Sequence, residues 1–200
     1  AAASAILVAA TGVITPHATA LHAADDQTRQ RRLMIEGGKY SLAAASVFLV
    51  LFVGLGRPLI HLWVGPELDL AYTLLVLLFA GRWVSMSQVV TRGIITAQAK
   101  HRALAMSSVA QAVVTLGLGL LLMRSYGVLG MAAAIALGDA VCEGLFSLVY
   151  GCRSIGLSVG EYLREVMGAL FKSMSLPVAA LAIVLMIRPA STWLDVLAYG

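Results

Sequence analysis

Charge is scarce in this chain. Asp, Glu, Lys and Arg together make up 12% of its 200 residues, about half the share of an average soluble domain. Cysteine is nearly absent. Cys142 and Cys152 are the only two, and that separation along one helix would hold them ~15 Å apart, too far for a disulfide. Both read as buried bystanders. Chemistry-bearing signatures are missing as well. There is no Gly-rich phosphate loop ending in Lys-Ser/Thr, no His-Glu-x-x-His, no Gly-x-Ser-x-Gly and no pair of Cys-x-x-Cys units. Nothing in these residues points to nucleotide hydrolysis, zinc chemistry or a serine nucleophile, and no cofactor or enzymatic activity is expected.

What the chain has in abundance is apolar length. Hydrophobic residues make up 60% and the mean hydropathy is +0.90. They fall in long blocks and not in the half-apolar stripes of a surface helix. A bilayer core takes about 20 mostly apolar residues per helix, so the length accommodates six or seven passes. The expected fold is all-α, a polytopic transmembrane helix bundle. The start, Ala1-Ala2-Ala3, has no charged segment before the first apolar stretch and does not fit a signal peptide. The end, Leu197-Ala198-Tyr199-Gly200, reads as the opening of a further span. The expectation is one transmembrane bundle over 1–200, an internal or C-terminal piece of a longer protein.

Span one covers about 1–23 and is kinked by Pro16. A charged cytoplasmic loop, 24–39, follows. Span two covers 40–64, ending at Gly65-Pro66. Span three covers 70–97, span four 103–123 and span five 128–151, with a tight turn at Ser125-Tyr126-Gly127 between the last two. The polar stretch 152–166 is expected at the cytoplasmic interface, its piece Glu161 to Val166 as a short amphipathic helix. Span six covers 167–187, and Pro189 precedes a truncated seventh.

Alternate connections differ sharply in charge. One set holds Arg29, Arg31, Arg32, Lys39, Lys100, Arg102, Arg153, Arg164 and Lys172; the other holds Arg124, Arg188 and, near its edge, Arg57, together with Glu67 and Asp69. Lys and Arg mark the cytoplasmic side. The loops at 24–39, 98–102 and 152–166 are therefore placed inside. Trp63, Tyr72, Tyr126 and Trp193 then fall at the outer interface, where amphipathic rings are favoured. This topology accounts for the net charge of +4 without a nucleic-acid partner. Gly130, Ala134 and Gly138 form a small-residue stripe on span five suited to close helix packing, either fixed or as a sliding surface.

Apart from Arg57 and Lys172 near span ends, four charges fall inside spans: Arg82 and Arg92 in span three, Asp139 and Glu143 in span five. Such groups are costly at bilayer depth and pair with each other or line a wet cavity. Arg82 and Asp139 sit at similar depth, and Glu143 lies one turn from Asp139 on the same face. One reading is an Arg82–Asp139 ion pair that locks two helices. The other is a cationic cavity wall, with Arg82 and Arg92 binding an anionic substrate group bidentately and Asp139 or Glu143 coupling transport to a proton or cation. His17, His22, Asp25 and Asp26 suggest a metal site less well than a solvated helix end. His61 reads as an interface residue, Gln88, Gln98 and Gln111 as interhelical hydrogen-bonders, and Lys172 as snorkelling to the cytoplasmic interface.

The order of local motifs is then informative. Thr15-Pro16-His17-Ala18-Thr19-Ala20 precedes a charged segment with Arg31-Arg32-Leu33. Gly56-Arg57-Pro58-Leu59-Ile60-His61-Leu62-Trp63-Val64-Gly65 closes an outer helix end. Arg92-Gly93 leads to Thr96-Ala97-Gln98-Ala99-Lys100-His101-Arg102. Tyr126-Gly127-Val128-Leu129-Gly130-Met131-Ala132-Ala133-Ala134 makes an outer turn, and Ile155-Gly156-Leu157-Ser158-Val159-Gly160-Glu161-Tyr162-Leu163 closes the run. From about Ile14 to Leu181 this resembles the C-terminal half of bacterial polysaccharide flippases, the O-antigen and exopolysaccharide transporters of the multidrug/oligosaccharidyl-lipid/polysaccharide exporter superfamily. Met131 stands where that family often has Ala, and Arg57 before Pro58 is unusual. The resemblance implies a MATE-like C-terminal lobe, one of two helix bundles around a cavity that opens to alternate sides. It implies an undecaprenyl-pyrophosphate-linked oligosaccharide as cargo, a proton or sodium ion as possible driver, membrane lipids as surroundings, and multi-pass residence in the bacterial inner membrane. A cation-coupled multidrug or lipid II exporter of the same superfamily is the alternative within this class. A membrane-embedded polymerase or acyltransferase is the alternative outside it; neither a large outside loop nor a histidine beside an acid supports that.

Overall fold

The computed structural model describes residues 16–171, apart from 17, 22, 25 and 64–68. Spans one, six and seven therefore lie wholly or largely outside the described residues, as do His17, His22, Asp25 and Lys172. Among the described residues the chain is helical without strands: α1 (Gln27–Trp63), α2 (Asp69–Ser87), α3 (Val89–Ala97), α4 (His101–Gly138), a π-helical segment (Asp139–Leu145) and α5 (Phe146–Ser154), then α6 at 159–171. Three stretches, Gln27–Leu62, Leu70–Ser87 and His101–Ser154, are long and apolar enough to cross a membrane. At most 22% of any of their apolar windows is buried, so most of this apolar surface points outward, as hydrocarbon surroundings require.

The third stretch is not one rod. Gly127 has φ 58° and ψ −138°, a conformation open only to glycine, and there the chain reverses. A side chain at Gly130 would collide with the Leu122 carbonyl at 2.2 Å, and one at Gly138 with Thr115 at 2.4 Å. The stripe of Gly130, Ala134 and Gly138 therefore faces the first limb of its own hairpin, joined to it by a tight turn. The stripe packs within one hairpin. Each limb, at ~1.5 Å per residue, is longer than a ~30 Å hydrocarbon core. The first limb turns Met106, Val109, Val113, Leu116, Leu120 and Met123 outward.

The stretch 24–39, read as a loop, is helical from Gln27 onward. Its residues favour helix, Asp26–Arg29 and Glu36–Lys39 pair three apart at 3.2 and 3.3 Å, and Met34 is fully buried. Tertiary packing of the face that carries Met34 overrides the polar appearance of the segment.

The α2–α3 pair is central, with α1 on one side and the hairpin on the other. Toward α1, the Trp83 indole N–H donates to Ser46 at 2.8 Å, Phe52 and Phe79 rings lie 4.7 Å apart, and the Tyr72 hydroxyl donates to the Val53 carbonyl at 2.8 Å. That carbonyl sits beside the place where Pro58 inside α1 removes a helical N–H donor. Toward the hairpin, Gly81 comes so close that an added side chain would overlap the Ala136 backbone at 2.4 Å.

The tightest packing lies at the end formed by the start of α1, α3, α5 and α6. Met34, Leu42, Val90, Ile94, Leu148, Cys152, Ile155, Leu157, Tyr162 and Val166 are buried there. Arg31 braces this end, its Nε and Nη2 donating to the Ile155 and Gly156 carbonyls at 2.9 and 2.8 Å. Residues 161–166, expected at the interface, belong to a helix that buries Tyr162 and Val166 in the bundle and leaves Leu163 exposed. Burial pushes the Tyr162 phenol above its ordinary pKa, and among the described residues its hydroxyl, beside Thr91 and Gln88, makes no hydrogen bond of normal geometry.

Candidate functional site

The helix pair α2–α3 breaks at Gln88, whose φ of −98° and ψ of 11° leave the helical region. The break is stitched by Thr91 donating to the Gln88 side-chain carbonyl at 3.0 Å and by the Gln88 amide donating to Ser87 at 3.1 Å. Arg82 lies before the break and Arg92 after it. Across from them the hairpin's second limb changes from α to π at Asp139. Such looser turns are frequent at functional sites. Here both carboxylates of the π segment, Asp139 and Glu143, stay on the face toward α2. Gly144 keeps that face close: a side chain there would meet Val84 at 2.6 Å.

The four charges form one alternating chain. Arg82 Nη1 is 3.4 Å from Asp139 Oδ2 and 3.5 Å from Glu143 Oε2. Arg92 Nη1 is 3.1 Å from Glu143 Oε1; the pair is close enough for ionic attraction but angled out of a hydrogen bond, which leaves that buried nitrogen without an acceptor. Asp139 Oδ1 accepts a hydrogen bond from the Gln111 side-chain amide on the first limb. The order is Gln111–Asp139–Arg82–Glu143–Arg92. Two positive and two negative charges cancel.

The members differ in exposure. The Asp139 and Glu143 side chains are 10% and 16% exposed, that of Arg92 27%, and that of Arg82 45%. Among the described residues, Arg82 spends only Nη1 on these contacts. Among the described residues its side chain makes no further hydrogen bond or ion pair, and at 45% exposure part of the guanidinium is open. Carboxylates are behind and a forked donor is in front, an arrangement able to take an anionic oxygen pair.

All four residues singled out from the sequence therefore meet in one place. Gln111, given only a generic interhelical role, is the fifth member. A turn centred on Ser125 puts Gln111 and Asp139 equally far from it along the chain, so the partnership was readable once the hairpin was accepted. The π segment had no sequence signal. Asp26 pairs with Arg29, and no group of three metal-ligating side chains occurs among the described residues. Cys142 and Cys152 are free thiols. No protein-family model, curated protein or solved structure matches the chain.

Proposed function

We propose that this chain is part of a membrane transporter that carries an anionic, lipid-linked oligosaccharide across the inner membrane by alternating access. The observation that carries the reading is Arg82: a half-exposed guanidinium, anchored through one nitrogen to two sheltered carboxylates, on a helix apolar enough to cross a bilayer. An isolated arginine in hydrocarbon is costly and is retained where it pairs or binds. This one is paired and still has donors to spare. A pyrophosphate matches the spare fork in charge and geometry. The resemblance to polysaccharide flippases supplies the cargo class, with Arg82 as the first contact and Arg92 as the inner one.

A second reading within transport rests on a different observation. The cluster is neutral, and each arginine already has a carboxylate partner. A proton or cation arriving at Asp139 or Glu143 would loosen its grip on the arginine beside it, which suits a cation-coupled exporter of other cargo. In the flippase reading the same event releases Arg82 to the anion.

The experiment is complementation and liposome flipping with Arg82→Ala and Arg82→Lys. Arg82→Ala is expected to abolish surface polysaccharide at normal protein level. Arg82→Lys, which keeps charge but loses the fork, is expected to retain a small part. Wild-type polymer from Arg82→Ala removes this residue from the site. Asp139→Asn separates the two readings: it should abolish gradient-driven movement while binding of lipid-linked pyrophosphate persists, and transport unaffected by the gradient in the wild type discards coupling.

A further inference from the structure

A groove of about 620 Å³ runs between the two limbs of the hairpin, outside the ion-paired cluster. Met106 and Ala110 form one wall, and Val141, Cys142, Phe146 and Tyr150 the other. Phe146 and Tyr150 stack with ring centroids 5.5 Å apart, which makes that wall continuous. Arg102 stands in its lining, near the end where the limbs begin and finish. Lys100 and His101 precede Arg102 on the turn, and Arg153 lies one helical turn beyond Tyr150 at the same end.

Arg82, Arg92, Arg29 and Lys39 all have carboxylate partners, and Arg31 spends itself on backbone carbonyls. Among the described residues neither Arg102 nor Arg153 has an ion-pair partner. Among the described residues Arg32, Lys100, Arg124 and Arg164 also have no ion-pair partner; what distinguishes Arg102 is its place in the lining of this groove. Hydrocarbon gains little by leaving one apolar surroundings for another, so an apolar groove alone selects nothing in a bilayer. A headgroup decides. A smaller groove toward the other end of the hairpin, lined by Leu77, Leu122, Tyr126 and Leu129, has no basic residue in its lining among the described residues, Arg124 lying beside it in sequence, whereas Arg102 lines the larger one.

We propose that the basic-ended groove is a binding site for an anionic phospholipid, with its phosphate on Arg102 and Arg153 and an acyl chain along Met106, Ala110, Cys142 and Phe146. Charge complementarity fixes the occupant. The site requires only that the hairpin lie in a bilayer, and it stands or falls independently of the cargo. A basic residue near anionic headgroups contributes ~1 kcal/mol, so two of them give a preference for phosphatidylglycerol over phosphatidylcholine of about tenfold or more.

Cys142 is a built-in reporter, since it lines the groove and is partly exposed while Cys152 is fully buried. The full chain is placed in nanodiscs of phosphatidylcholine, with or without phosphatidylglycerol, and alkylated with a lipid-soluble maleimide. Cys142→Ser sets the background. Phosphatidylglycerol is expected to slow labelling of Cys142 about tenfold, and the double variant Arg102→Gln/Arg153→Gln to restore the fast rate. Both side chains are exposed, so the fold survives their loss. Equal rates in the two lipids overturn the proposal, as does protection that persists in the double variant. Protection already complete in phosphatidylcholine means that another segment of the chain covers the groove, and also overturns it. Protection by a polyprenyl phosphate but not by phosphatidylglycerol transfers the site to a different lipid and refutes the phospholipid assignment.

Discussion

At the basic end of the bundle, Met34, Val90, Ile94, Leu148, Cys152 and Tyr162 fit side chain against side chain with almost no exposed surface. Next to it, across the α2–α3 break, Arg82, Arg92, Asp139 and Glu143 meet through a chain of ionic contacts between 3.1 and 3.5 Å. The membrane placement proposed above accounts for the contrast. Water competes at the packed end, so burying apolar surface stabilises it. Around the charged row the alternative to protein is hydrocarbon. Apolar contacts there gain little, and polar contacts and close backbone approaches hold helices together. The first region can be locked permanently. The second is held by charges that can be protonated or given to another partner.

Four substitutions probe that contrast, from the greatest effect to the least. Tyr162→Ala empties the centre of the packed end, and unfolding of the purified chain in micelles should fall by about 3–5 kcal/mol. An effect below ~1 kcal/mol would mean that α6 is not held by its buried ring. Glu143→Gln leaves Arg92 without its carboxylate and Arg82 with one fewer. Stability should fall by about 3 kcal/mol, and Arg92→Gln in the same chain should recover much of the loss. Strict additivity of the two changes would show that they do not interact. Gly127→Ala forces a side chain onto a backbone with φ 58°, at a cost of about 1–3 kcal/mol. That loss should fall on the hairpin, seen as faster hydrogen exchange near residues 115–138 with the packed end unchanged. Tyr162→Phe should cost nothing and even stabilise by up to ~1 kcal/mol, because it removes a buried hydroxyl without a hydrogen bond of normal geometry among the described residues while keeping the ring. A loss of more than ~1 kcal/mol would mean the hydroxyl is bonded, Thr91 and Gln88 being the groups beside it.

Much of the architecture was legible before any coordinates. Long apolar blocks and sparse charge dictate lipid-facing helices, and Gly127 after Ser125-Tyr126 marks the hairpin tip because few residues but glycine accept that backbone. The juxtaposition of Arg82 with Asp139 followed from depth alone, since a charge in hydrocarbon must find its opposite at the same level. Residues 27–39 were misread as loop because their polarity hid a packed face, with Gln30, Met34 and Gly38 buried and Leu33 and Ile35 against the core. Residues 161–166 bury Tyr162 and Val166 against protein and leave Leu163 exposed, since amphipathicity alone does not say whether an apolar face meets hydrocarbon or protein.

The sequence by itself determined that this chain is helical, apolar along its length, reversed at Gly127 and burdened with four charges it must neutralise, because these are properties of local composition, backbone sterics and the cost of charge in a low dielectric. Only the tertiary structure decided that Arg82 serves two carboxylates at once, that Gln111 completes the row, that the π segment turns Asp139 and Glu143 toward α2, and that Arg102 lines an apolar groove. Those outcomes depend on which faces of separate helices meet. That choice is made by close packing at residues such as Gly81 and Gly144, whose partners lie far away along the chain.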